Sequence, residues 1–145
     1  MIDTQLKARR LVALGLTAAG ALPFLAAAAL VVLFGGSYDG WIAEEVATLY
    51  GAVILSFLGG VRWGVALSRG PVAALPLSVI PSLAAFFSLF MTVRAALLVL
   101  MAGFVAQMIW DALSGDVLPE WFIRLRLAIT ITVLLCLAVT LYGVF

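Results

Sequence analysis

The chain has 145 residues, 66% of them apolar and 10% charged, with a formal net charge of +1 and a mean hydropathy of +1.28. A soluble domain of this size cannot bury that much apolar surface, so lipid is the expected solvent, and the near-neutral charge excludes a nucleic-acid partner, which needs a basic patch. There are no histidines, and Cys136 is the one cysteine, so an internal disulfide is excluded and zinc, haem and histidine proton relays lose their usual ligands. No cofactor or metal is expected.

Five apolar segments of about 20 residues each fill most of the chain and leave only short loops. They predict an all-α integral membrane bundle of five transmembrane helices, a single domain over residues 1–145 with spans at 11–35, 46–67, 72–92, 95–113 and 120–145. Lys7, Arg9 and Arg10 precede the first apolar run. Ala26 to Ala29 imitate a signal-peptidase site, but a run of about 24 residues is long for a signal peptide and suits an uncleaved helix, with Pro23 as a kink. A short acidic loop with Asp39, Trp41, Glu44 and Glu45 comes next, its charges read as solvated.

The second span carries the most informative stretch. Ala52, Ser56, Gly60 and Gly64 recur every fourth residue, with Gly59 beside them, and form a ridge of small residues along which another helix can approach closely. Arg62 interrupts the same apolar run. Ser68, Arg69, Gly70 and Pro71 read as a turn. The third segment contains Pro76 and Pro81, each removing a backbone donor. It is either a kinked span or an irregular stretch leading to a shorter helix from about Pro76. Arg94 marks the next turn. In the fourth span Gly103, Gln107 and Asp111 share a face that runs from small to polar to charged. A polar connection from Ser114 to Trp121, with Asp116, precedes Pro119 and Glu120, which suit the start of the fifth helix.

Lysine and arginine set the orientation. With the amino terminus cytoplasmic and the carboxyl terminus periplasmic, Lys7, Arg9, Arg10, Arg69, Arg124 and Arg126 lie inside and only Arg94 lies outside. Arg62 then sits within its helix, about 7 Å from the inner end. Asp111 and the start of the fifth helix fall at comparable depth, so Arg62, Gln107, Asp111, Arg126 and Thr130 form a candidate buried polar cluster. Arg62 either pairs with Asp111, with Arg126 as a competing partner, or snorkels to the headgroups, or serves a ligand or proton site. Trp41 reads as an outer interfacial residue and Trp63, Trp110 and Trp121 as inner ones. Thr132, Cys136 and Thr140 share a packing face, and no base stands near Cys136.

Gly51-Ala-Val-Ile-Leu-Ser-Phe-Leu-Gly-Gly-Val-Arg-Trp-Gly64 resembles the hallmark of the transmembrane protein 69-like family, whose bacterial relatives carry a domain of unknown function. Leu118-Pro-Glu-Trp-Phe-Ile-Arg-Leu-Arg126-Leu-Ala-Ile-Thr130 is similar to its second shared block, and Gln107 and Asp111 fit the polar positions of the intervening helix. The resemblance covers about Tyr50 to Val133 and implies a five-helix integral membrane protein without supplying an activity. No Arg- and Ser-rich presequence precedes the first helix, so a multi-pass protein of the bacterial inner membrane is expected. The leading functional expectation is a non-enzymatic accessory, assembly or interaction subunit that packs against another membrane protein or against copies of itself in the lipid bilayer. The alternative is a small oligomeric transporter or channel with a polar site at Arg62, Gln107 and Asp111. An enzyme acting on a lipid or quinone is the least supported option.

Overall fold

Gly35 and Gly36 end the first apolar run. Gly36 takes φ +77°, a left-handed conformation open to glycine without steric cost. Ser37 caps the second helix: its Oγ accepts from the Gly40 amide at 3.3 Å and donates to the Phe34 carbonyl at 2.5 Å. Two long helices therefore meet at a tight turn, α1 (Ile2–Phe34) and α2 (Tyr38–Arg69). In a computed structural model, which describes residues 2–114 and 118–144, they are followed by α3 (Ala74–Ser88), α4 (Val93–Leu113) and α5 (Glu120–Gly143). Among the described residues there are no strands. Asp116 of the expected polar connection lies outside them.

Several boundaries differ from expectation. The basic residues Lys7, Arg9 and Arg10 are already helical. The acidic stretch is the first part of α2 rather than a loop, because the Ser37 cap and Asp39 at the positive helix end favour helix there. Glu44 is accordingly not a solvated loop charge: it is buried, facing the region of Val31 and Gly143, whereas Glu45 is exposed. Arg94 sits in the first turn of α4 instead of in a loop.

The largest departure is α3. Its 15 residues rise about 22 Å, against about 30 Å of hydrocarbon. Pro76 falls in its first turn, where a missing amide costs nothing, and hydrogen-bonded turns at Pro71–Leu75 and Phe86–Met91 flank it. The expected span over 72–92 is thus an irregular lead followed by a shorter helix. The other four helices are each long and apolar enough to cross a membrane.

Contacts fix the arrangement. α2 touches every other helix. Tyr50 donates to the Gly20 carbonyl at 3.0 Å and Ser56 to the Ser82 hydroxyl at 3.3 Å, and α1 and α3 both run antiparallel to α2. α4 runs parallel to α2, since Gly51 lies against Leu100, Leu55 against Gly103 and Arg62 beside Asp111. α5 runs parallel to α1, with Arg10 over Trp121 at one end and Val31 against Gly143 at the other. The helices alternate in direction, and the described chain ends lie at opposite ends of the bundle.

The core is built from Phe24, Leu55, Leu97, Leu100 and Leu137 together with many alanines, while Leu16, Val53, Phe57 and Leu135 point outward. Small residues inside and large apolar residues outside reverse the soluble pattern and suit a bundle whose exterior contacts acyl chains. The chain is a multi-pass membrane protein.

Candidate functional site

Asp111, near the end of α4, gathers two arginines from two other helices. Its Oδ1 lies 2.7 Å from Arg62 Nη2 of α2. Its Oδ2 accepts from Arg126 Nε at 2.9 Å and from Arg126 Nη2 at 2.8 Å. The side chains of Arg62 and Asp111 are each 5% exposed and that of Arg126 is 12% exposed. Arg62 therefore does not snorkel to the headgroups. The two arginines also do not compete: each holds its own carboxylate oxygen.

The local fold explains this convergence. α2 and α4 descend side by side, so positions 62 and 111 reach the same depth, and α5 begins from that end with Arg126 in its second turn. Aromatic faces complete both guanidinium sites. Arg62 Cζ stands 4.7 Å from the centre of the Trp110 ring, and Arg126 Cζ stands 5.9 Å from that of Phe122. Cation–π contacts of this kind gain strength where water is excluded, up to about 2 kcal/mol. Trp110 thus serves as a platform under Arg62, a role beyond the interfacial one expected of it. Its position next to Asp111 in sequence was the available signal, since a neighbour of a buried carboxylate lies close to that carboxylate's partner.

Two features leave the cluster unfinished. Two guanidiniums face one carboxylate, which leaves an excess of one positive charge; Glu120, the nearest acid in sequence to Arg126, is exposed beside Arg124 at 3.7 Å. Three buried polar atoms also lack any partner: Arg62 Nε and both amide atoms of Gln107. Arg62 Nη2 is engaged by Asp111 Oδ1 at 2.7 Å. Gln107 lies one turn from Asp111, is 2% exposed and spends none of its amide capacity on the protein. An unsatisfied buried polar group costs about 1–3 kcal/mol, so these atoms mark a built-in demand for a partner. Thr130 is also buried and lies one turn beyond Arg126.

The small-residue ridge divides. Ala52 is buried in the core, and Ser56 bonds Ser82 of α3. A Cβ on Gly59 would come within 2.8 Å of the Ser78 carbonyl oxygen, so Gly59 is where α3 backs directly onto α2. Gly60 and Gly64 are exposed, and a Cβ at either would meet nothing within 4 Å. The amino-terminal part of the ridge is used inside the bundle and the part from Gly60 to Gly64 is open. Thr132 and Thr140 each donate to the carbonyl four residues back, and Cys136 is buried in the apolar core between them.

The profile of a family described as "protein of unknown function (DUF3429)" matches residues 9–142. Transmembrane protein 69 of Xenopus tropicalis is 38% identical over 127 residues, a match that covers 82% of this chain and 49% of that protein. The chain thus spans about half the length of this relative. No solved structure matches.

Proposed function

Starting from the fact that this chain belongs to the DUF3429 family, we propose that it is a non-enzymatic multi-pass protein of the bacterial inner membrane that docks, as an accessory or assembly subunit, against a transmembrane helix of another membrane protein. The observation that carries this reading is the open inner half of the ridge. Gly60 and Gly64 offer a close-approach seat between the exposed side chains of Phe57, Trp63 and Leu67, and no helix among the described residues occupies it. A cytoplasmic amino terminus and five crossings, with α3 as a short one, are part of the proposal. They are supported by Arg10, Arg69, Arg124 and Arg126 falling at one end of the bundle and Arg94 at the other.

The polar cluster fits a structural role in this scheme. Asp111 ties three helices together, and both its oxygens are already engaged, which favours a fixed joint over the moving site of a small oligomeric transporter.

Site-directed photo-cross-linking tests the docking seat. A photoreactive residue at position 64 is expected to give one discrete adduct in native membranes, and the same group at exposed position 53 is not. Gly60→Leu should remove that adduct without lowering thermal stability, because the site is open and leucine favours helix over glycine. An adduct of twice the chain mass would replace the foreign partner with a second copy. Equal labelling at positions 53 and 64, or an adduct that survives Gly60→Leu unchanged, would overturn the seat.

A further inference from the structure

Arg126 also lines a cavity of about 460 Å³ that lies between α1, α2 and α5 and is closed on its inner side by Phe104 of α4. The size falls in the range of small-ligand sites. Its walls are apolar, with Ile54, Leu58, Ile129 and Val133 among them, apart from three groups: Arg126, Thr130 and Thr17. Leu16 and Phe57 border it and are both exposed, so the cavity opens sideways toward lipid.

The three polar groups share one depth. α1 and α5 run parallel in a nearly constant register, with Arg10 over Trp121 and Val31 against Gly143, which puts Thr17 level with the stretch between Arg126 and Thr130. The hydroxyls are also unspent. Thr48, Thr132 and Thr140 each donate to the carbonyl one turn back, as a threonine in an apolar helix does. Thr17 and Thr130 make no such bond among the described residues, although Thr130 is 5% exposed. A cavity with a layer of free hydroxyls beside an arginine, next to a cluster with one positive charge in excess, is complementary to an anion carried on an apolar chain.

We propose that this cavity binds an anionic amphiphile, whose carboxylate or phosphate oxygens take Arg126, Thr130 and Thr17 while its apolar chain lies toward Phe24, Ile54 and Phe104. The head supplies the negative charge that Asp111 alone does not, and Arg126 joins the site to the three-helix joint.

The test uses the full chain in a neutral maltoside detergent with cis-parinaric acid as probe, read by energy transfer from the protein's tryptophans, which reports only probe held near the protein. The acid is expected to bind about tenfold tighter than its uncharged methyl ester, the scale of one charge-assisted hydrogen bond. Thr130→Val, which keeps the side-chain volume, should reduce that preference severalfold. Ala13→Phe, which places a large ring in the cavity without adding a tryptophan donor, should abolish transfer from either probe. Displacement by phosphatidic acid would identify a phospholipid as the source of the head; displacement by oleate but not by phosphatidic acid would identify a free fatty acid. Equal binding of acid and ester, displacement by inorganic phosphate as effective as by oleate, or undiminished transfer in Ala13→Phe would each overturn the proposal. Should Thr130→Val fail to fold, the acid-to-ester ratio on the unaltered protein and the Ala13→Phe result decide it.

Discussion

Asp111→Ala is expected to lower stability by about 3–5 kcal/mol, the range for stranding a buried charge by removing its partner. The reason is geometric. Asp111 is the carboxylate at which α2, α4 and α5 meet, and without it Arg62 and Arg126 face each other as two buried cations. Unfolding in detergent, followed by circular dichroism against temperature or sodium dodecyl sulfate, measures the loss. The matching double mutant is sharper still. Arg62→Ala removes one cation, so Arg62→Ala with Asp111→Ala should cost less than the sum of the single changes, by about 0.5–3 kcal/mol of coupling. Strictly additive losses would show that the 2.7 Å contact carries no energy.

Gly59→Ala and Gly60→Ala should diverge although they alter adjacent residues. At position 59 a methyl group would lie 2.8 Å from the Ser78 carbonyl oxygen and 3.0 Å from Ser82 Oγ. The first of these is backbone, so α3 must move as a body. The expected cost is about 1–3 kcal/mol, typical of an overpacked interior. At position 60 the methyl group meets nothing, and the gain in helix propensity of up to about 1 kcal/mol makes the change neutral or stabilising. Melting curves of the two variants in the same detergent check this. Equal behaviour would mean that α3 does not sit on Gly59.

Much of the architecture was legible because a bilayer imposes strong rules on sequence. The all-helical class and the four long apolar helices follow from runs that lipid requires to be helical. Arg62, Asp111 and Arg126 could be brought together on depth alone, since a charge inside an apolar run must find another. The features that stayed hidden were local. Glu44 and Asp39 look like loop residues by composition, and only the Ser37 cap, which shifts the start of α2 back to Tyr38, carries them into the helix. The ridge read as one surface because spacing of four places its residues on one side. Which part of that side meets α3 depends on the short length of α3, and Gly59, one position off the series, takes the closest contact. That both arginines share one carboxylate was also not encoded in spacing, because two oxygens can serve two partners or one.

The brevity of α3 has a consequence for the membrane itself. If α3 crosses the membrane as proposed, its length of about 22 Å leaves about 8 Å of hydrocarbon thickness unmatched on one flank of the protein. Matching costs fractions of a kcal/mol per Å, whether the lipid compresses or the bundle tilts. Phe86, Phe87 and Phe90 stack edge to face at the far end of α3 and are exposed, so this flank ends in a bulky aromatic rim. Beside such a short crossing either the bilayer would thin or the bundle would tilt, whereas α1, with 33 residues, is more than long enough, so the mismatch would fall on the α3 flank alone. A flank of this kind would favour thinner bilayers.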